Sequence, residues 1–210
     1  MNNGKKKYTK YNEKRLLDPA KVLLVKSELS NISIHATDDD KITAHLFGEA
    51  YSDKEIQFDP KNINNEAEVC VINTGLTYHG KLTVDISVPK DTCDSILIEA
   101  ANNYVMVDNS IDVDTLIITG KNGNTDVSAS FKQLRIQNSI GRVKVATEAK
   151  SNISIDIFGK KGDIDISAKN IRESRLTLKT AGEICNTFKP SGRYLLTGSI
   201  YNQKGEITVK

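Results

Sequence analysis

Two carboxylates between Gly162 and Ile166 have a spacing that could perform acid–base chemistry. Asp163 and Asp165 stand at positions i and i+2 of an alternating polar and apolar segment, so both side chains would leave the same face of a β-strand. Their Cα atoms would then lie ~6.5 to 7 Å apart, a separation that suits the acid and the base of an inverting glycosidase. One hypothesis for the function is therefore a polysaccharide-cleaving enzyme of the β-helix type.

Equivalent positions in neighbouring segments favour a structural role for the same aspartates. Aligning the segments that begin at Gly123, Gly141 and Gly162 gives two columns: Asp126, Lys144 and Asp165, and Asn124, Arg142 and Asp163. Acids and bases that alternate across adjacent strands form a stabilising charge ladder. The chain also contains no tryptophan to stack on a sugar ring. We therefore expect a ladder and no enzymatic activity, and the enzyme stays as the alternative.

The histidines could support metal binding, but the pattern around them is incomplete. His35 and His45 belong to two predicted strands that are joined by the acidic turn 38–40, so they could be cross-strand neighbours. A metal site would need a third ligand at a fixed spacing, and the sequence offers none. We expect two partly exposed strand residues, and whether they have any role stays open.

No other residue type predicts a cofactor. The chain has three cysteines, Cys70, Cys93 and Cys185, without a CxxC spacing. We therefore expect neither a disulfide framework nor a zinc site. The two Gly-Lys pairs lack the spacing and the Ser or Thr of a phosphate-binding loop. The sequence therefore predicts no catalytic, metal-binding or cofactor-binding residue.

Internal repeats organise the second half of the chain. The pattern Gly, any residue, apolar or Thr, any residue, apolar begins at Gly123, Gly141, Gly162 and Gly205, and at Gly182 with Asn186 in place of the second apolar residue; the separations are 18, 21, 20 and 23 residues. A second alternating series, which includes Ile96 to Ile98 and Leu116 to Ile118, keeps the same period. Alternation with period two indicates strands with one apolar face, and a unit of two short strands must stack on others to bury that face.

These repeats predict an all-β fold, a single-stranded parallel β-solenoid resembling a right-handed β-helix, with about 20 residues per rung. Regular rungs are expected over 90–210, and a less regular β-rich part over 19–89 completes a single domain, 19–210. The last rung, 206–209, would leave an open edge unless a segment covers it or another copy pairs with it.

The first 18 residues are expected to be a basic, disordered tail. Six of the 29 basic residues fall within 1–15, against a single acid, so the remainder of a chain of net charge +2 is mildly acidic. Lys5, Lys6 and Lys7 would permit weak contact with an anionic membrane surface, whereas binding to nucleic acid is not expected. With 38% hydrophobic residues and no apolar run of ~20, the body is neither disordered nor membrane-spanning by sequence.

The order of segments resembles a known group of proteins. A strand ending at Ile34, an acidic turn, a second strand from Ile42 to Gly48, the segment Leu82 to Pro89 and then the glycine repeats are similar to the bacterial β-strand-repeat family named "putative adhesin". The resemblance covers roughly residues 20–210. It implies a domain of unknown function whose members often accompany cell-envelope stress genes, and it carries no catalytic residues over to this chain.

One predicted column of outward-facing residues begins with apolar residues and continues with polar ones. The predicted column Leu97, Ile117, Arg135, Ser154 and Thr177 begins with two aliphatic residues, which something should cover. The irregular first half is the expected cover, and a protein partner is the alternative. We therefore predict a non-catalytic interaction or scaffold module of adhesin-like type, with Leu97 and Ile117 as its possible interaction surface and a protein partner or self-association.

Because the sequence contains no export signal, a cytoplasmic location is expected, with envelope association as the alternative.

Overall fold

The computed structural model describes residues 8–73, 75 and 78–210, and these residues form two β-sheets. In chain order the strands are β1 (Thr9–Leu17), β2 (Val22–Ser27), β3 (Ser30–Thr37), β4 (Ile42–Ser52), β5 (Ile56–Ile63), β6 (Glu66–Asn73), β7 (Tyr78–Pro89), β8 (Ser95–Ala100), β9 (Val105–Val107), β10 (Asp112–Asn122), β11 (Thr125–Val127), β12 (Ser130–Ile140), β13 (Val143–Glu148), β14 (Ile153–Lys161), β15 (Ile164–Lys169), β16 (Ile171–Thr180), β17 (Ile184–Asn186), β18 (Tyr194–Lys204) and β19 (Ile207–Val209). Among the described residues no helix is long and apolar enough to cross a bilayer.

The ten-stranded sheet has the order β1-β4-β7-β3-β9-β11-β13-β15-β19-β17, and the nine-stranded sheet has the order β16-β18-β14-β12-β10-β8-β2-β6-β5. Period-two alternation explains why these segments form strands, since one face of each strand enters the core. In β14, for example, Ile153, Ile155 and Ile157 are buried and the residues between them are not. The core is one hydrophobic cluster that runs from Leu17 to Val209.

The predicted interior of the repeats is confirmed. Val145 and Ile164 are each only 1% exposed, and they lie in the neighbouring strands β13 and β15. Parallel pairing joins every strand from β8 to β19 to its neighbours. The alternation therefore predicted correctly which side chains enter the core.

The expectation of a single-stranded parallel β-solenoid is wrong. Both sheets mix parallel with antiparallel pairs: β4 runs antiparallel to β1 and β7, and β5 runs antiparallel to β6. The physical reason is that alternation specifies which face of a strand is buried, but neither the direction of the strand nor its neighbour. The chain consequently builds two mixed sheets instead of one continuous coil.

The order of strands also departs from chain order near the C-terminus. The last strands, β18 and β19, lie between β14 and β16 and between β15 and β17. A Cβ atom on Gly205 would overlap the carbonyl oxygen of Gly162, and one on Gly182 would overlap that of Gly205. The glycine column therefore runs Gly162, Gly205, Gly182. The expected open edge at 206–209 is covered by β17, and the edge strands at this end are β16 and β17.

A similar exchange occurs near the N-terminus. β2 lies between β6 and β8, and β3 lies between β7 and β9. The first half of the chain thus extends the same two sheets. The segment 1–18, expected to be a disordered tail, contains the strand β1 (Thr9–Leu17), which pairs with β4; residues 1–7, including Lys5 to Lys7, lie outside the described residues.

Candidate interaction surface

Leu97 and Ile117 lie side by side on the outer face of the nine-stranded sheet. They are register partners in β8 and β10. Leu24 of β2 is the register partner of Leu97 on the other side, so three aliphatic side chains form a continuous patch across adjacent strands. All three are partly exposed, because the interior positions of these strands are filled by their sequence neighbours. We call Leu24, Leu97 and Ile117 the aliphatic patch.

We expected the first half of the chain to cover this patch, but it does not. It contributes β2 to the same sheet and therefore adds Leu24 to the patch. Sequence reasoning missed Leu24 because it lies far from Leu97 in the chain. A signal was present: Val22 to Val25 are four consecutive apolar residues, so both faces of β2 carry apolar side chains there.

The rest of the predicted column needs one correction. Arg135 of β12 is indeed the neighbour of Ile117, but its partner in β14 is Asp156, and Ser154 pairs with Gln133. The column then continues through Ser199 to Thr177, because β18 lies between β14 and β16. The amide and the hydroxyl of Ser199 both donate to Asp156 Oδ1, at 3.0 and 2.6 Å. A polar surface thus borders the aliphatic patch on this side.

Charged side chains border the patch on the opposite side. Glu68 of β6 is the register partner of Leu24, and its carboxylate is 3.5 Å from Lys26 Nζ and 3.4 Å from Lys61 Nζ. Burial acts to raise the pKa of Glu68, but hydrogen bonding by the Cys70 thiol and the positive charge of Lys61 outweigh it and lower the pKa. Glu68 therefore stays ionised at the edge of the patch.

Beyond Asp156 the same face carries an aromatic pair. The rings of Phe158 and Tyr201 stack with centroids 5.2 Å apart and an angle of 18° between their planes. Lys179 Nζ lies 5.8 Å from the centroid of the Tyr201 ring, close enough for a cation–π contact. The groove between the pair and the aliphatic patch is lined by Gln133, Arg135, Gln137, Asp156, Phe158 and Ser199.

The outer face of the ten-stranded sheet differs in character. One register column crosses the whole sheet in the order Lys14, His45, Asp85, Ser33, Met106, Asp126, Lys144, Asp165, Thr208 and Cys185. The predicted alternation of Asp126, Lys144 and Asp165 is confirmed. Polar and charged side chains predominate in this column, which is how a solvated sheet face is built.

Asp163 and Asp165 are both engaged with other groups. Arg142 Nε and Nη2 lie 2.9 and 2.7 Å from Asp165 Oδ2, and Lys144 and Lys210 line the same depression. Asp163 Oδ1 accepts a hydrogen bond of 3.0 Å from the backbone amide of Glu206. The side chains therefore contact neighbouring strands in two different ways, and they do not converge on a shared cleft.

The histidines are not cross-strand neighbours. β7 lies between β3 and β4, so His35 pairs with Ser87 and His45 pairs with Asp85. His35 Nδ1 is 3.4 Å from Asp85 Oδ1, and its Nε2 is 3.0 Å from Ser87 Oγ. His45 Nε2 is instead 2.7 Å from Asn12 Oδ1. Within the described residues no group of three or more His, Cys, Asp or Glu side chains is placed to hold a metal ion.

Comparisons with known proteins address the fold. No protein-family model matches the sequence, and no curated protein matches it. Among solved structures, the chain is similar to a "putative adhesin" from Bacteroides fragilis, with 18% identity, a TM-score of 0.61 and 98% of each chain covered. It is also similar to a "putative cell adhesion protein" from Clostridium sporogenes, with 10% identity, a TM-score of 0.53, and 96% and 99% of the chains covered.

The resemblance seen in the repeats is confirmed at the level of the fold. The chain shares its architecture with proteins that are named as adhesins over nearly its whole length. At 10% and 18% identity these similarities concern the backbone arrangement and leave the site to be argued from this chain's own residues.

Proposed function

We propose that this protein is a non-catalytic, adhesin-like binding module that engages a protein partner through the outer face of its nine-stranded sheet. The juxtaposition of Leu24, Leu97 and Ile117 in three adjacent strands carries this proposal. Contiguous apolar surface on a soluble protein is usually a contact surface, because leaving it in water is costly.

The surroundings of the aliphatic patch support a protein partner. Interfaces typically have an apolar centre, a polar rim, and an excess of arginine and aromatic side chains. Here Arg135 borders the patch directly, the Phe158 and Tyr201 pair lies beyond it, and Glu68 with its lysines forms the opposite rim. A flat face of this kind fits another folded surface better than it fits a small molecule.

Site-specific photocrosslinking tests the proposal in the native host. Benzoylphenylalanine at Ile117 should capture a protein that the same group at Met106 does not. Met106 is the control position because it is also apolar and exposed but lies on the other sheet. The captured protein, once purified, should bind this chain directly. The double variant Leu97→Glu and Ile117→Glu should weaken that binding at least tenfold.

The matched control is Met106→Glu, which adds the same charge to the other face and should leave the affinity unchanged. Melting temperatures of all variants separate loss of binding from loss of folding. Equal capture at Ile117 and Met106, no capture at either position, or a partner indifferent to the double variant would each refute the proposal.

A further inference from the structure

The two ends of the paired sheets are protected very differently. At the end formed by β1 and β5, the edge strand β5 carries Pro60 and Lys61, both of which discourage pairing with another strand. In β1, Glu13 and Arg15 are the register partners of buried Leu46 and Ala44, so charges lie on the core side of that edge. These are devices by which natural sheets prevent the addition of a further strand.

At the opposite end, no proline interrupts β16 or β17, and none of their charged residues pairs with a buried residue of the neighbouring strand. The β16 edge does carry basic side chains, and its register is irregular between Ile171 and Glu173. Leu178 of β16 is the register partner of buried Ile200, so it lies on the core face of the last strand. Leu176 lies on the same face over Gly198, which has no side chain to cover it. In β17, Ile184 pairs with buried Ile207 and is 43% exposed. Apolar side chains that continue the core are thus left partly open.

β16 is the edge that offers room for another strand. It has ten residues, whereas β17 has three. The return loop reaches only its first residue, where the amide of Ser191 donates to the carbonyl oxygen of Ile171. From Arg172 to Thr180 the described residues provide no strand on that side, so the backbone groups that point outward are available for strand addition.

The charge of the segment around β16 indicates which kind of strand could pair with this edge. The segment 170–193 contains five basic residues (Arg172, Arg175, Lys179, Lys189 and Arg193) and two acids (Glu173 and Glu183). Glu173 and Arg175 are paired with each other, since Arg175 Nε donates to Glu173 Oε1 at 2.6 Å, so four basic residues and one acid remain outside this pair. By contrast, residues 16–169 contain 16 basic and 23 acidic residues. This end is therefore basic, in contrast to the acidic stretch from β2 to β15.

We propose that the β16 edge, Arg172–Thr180, is a strand-addition site for an extended segment of a partner protein in which acidic and apolar residues alternate. The apolar side chains of that segment would cover Leu176 and Leu178, and its carboxylates would face Arg175 and Lys179. The basic N-terminal segment of this chain carries the wrong charge for this site. A second copy paired through β16 would place like charges together.

Blocked synthetic octapeptides provide the test with the full-length protein. The probe alternates glutamate with valine, one control alternates lysine with valine, and a second control is the acidic probe with a proline at its centre. The acidic probe should bind at least tenfold more tightly than either control, because the lysine peptide is repelled and the proline peptide cannot continue the strand. Hydrogen exchange should slow in residues 172–180 when the acidic probe is bound.

Charge reversal provides the matched comparison. Arg175→Glu with Lys179→Glu should invert the preference in favour of the lysine peptide, whereas Lys10→Glu with Lys14→Glu on β1 should leave it unchanged. Equal binding of the acidic and basic peptides, protection outside 172–180, or no binding would refute the proposal. Concentration-dependent dimerisation that protects 172–180 would also refute it and would identify a second copy as the occupant. The wild-type peptide comparison remains decisive even if a charge-reversed variant fails to fold.

Discussion

Arg142 and Asp165 form an ion pair across the ten-stranded sheet in which two guanidinium nitrogens approach the same carboxylate oxygen, at 2.9 and 2.7 Å. Arg142 directly precedes β13, and Asp165 lies within β15, the strand next to it. The contact is diagonal, because the register partner of Asp165 is Lys144. The carboxylate of Asp165 is thus engaged by Arg142 and lies in register with Lys144, as expected of a charge ladder.

The first prediction concerns this ladder. Asp165→Asn should lower the free energy of unfolding by ~0.2 to 1 kcal/mol, because ion pairs with partly exposed side chains are screened by water. The loss should shrink at high salt. Asp163→Asn is the control: an asparagine oxygen can still accept the hydrogen bond from the Glu206 amide, so its salt dependence should be weaker. Denaturant titrations at low and high salt measure both effects. Polysaccharide cleavage that is abolished when Asp163→Asn and Asp165→Asn are combined would contradict the ladder interpretation.

The second prediction concerns the core between β13, β15 and β19. Ile164 is the register partner of Val143 and Ile207, and all three are buried. Ile164→Asp should lower stability by roughly 3 to 5 kcal/mol or prevent folding, because it buries an unpaired charge. Ile164→Val should cost only ~0.5 to 1.5 kcal/mol. Thermal unfolding of the two variants distinguishes charge from lost volume, and similar losses would overturn the placement of Ile164.

The third prediction concerns the glycine column. Gly162 has φ +124°, and a Cβ atom there would overlap the carbonyl oxygen of Gly141. Gly162→Ala should therefore lower stability by at least ~1 to 3 kcal/mol, because both the backbone conformation and the contact with the next strand resist a side chain. Lys161→Ala, at the exposed neighbouring position, is the control and should change stability little. A Gly162→Ala protein with an unchanged melting temperature would contradict the stacking.

The fourth prediction concerns the three free cysteines. Burial is the main cause that raises the pKa of the Cys70 thiol to about 11, with the charge of Glu68 adding to it, and burial likewise raises the pKa of Cys93 to about 11. Few of these thiols are ionised at pH 8, and both are sterically shielded. Iodoacetamide should therefore modify the exposed Cys185 first and the other two only after unfolding. Mass spectrometry of the labelled peptides gives the order, and early labelling of Cys93 would contradict its placement.

The fifth prediction concerns stability in acid. The backbone amide of Ser110 donates to Asp108 Oδ1 at 2.8 Å, and this hydrogen bond, with a smaller effect from the charge of His35, lowers the pKa of Asp108. A carboxyl group whose pKa is lower in the folded state stabilises the protein above its unfolded pKa of ~3.9. This contribution should disappear as the pH falls below ~4 toward the folded pKa. Melting curves of wild type and Asp108→Asn should converge there, whereas Asp39→Asn, on an exposed turn, is the control. A gap between wild type and Asp108→Asn that persists at pH 2 would contradict this assignment.

The amino-acid pattern predicted most strands of the second half, their buried faces and the register of β11, β13 and β15, but it missed β9 and β18. Alternation determines which side chains are buried, and a glycine at each turn determines where the backbone can approach the next strand. This is why the column Asp126, Lys144 and Asp165, and the outward position of Leu97 beside Ile117, could be read before the structure was known.

The order and direction of the strands were decided only by the tertiary structure. The segments that begin at Gly162, Gly182 and Gly205 have nearly the same pattern, so any of them could stack on another, and local sequence does not rank the choices. Long-range packing places β19 between β15 and β17, and it places β2 beside β8, which brings Leu24 next to Leu97. Strand pairing between distant segments depends on the whole core that they enclose together. For this reason the place of Leu24 in the aliphatic patch and the position of β16 as an open edge were decided by the tertiary structure alone.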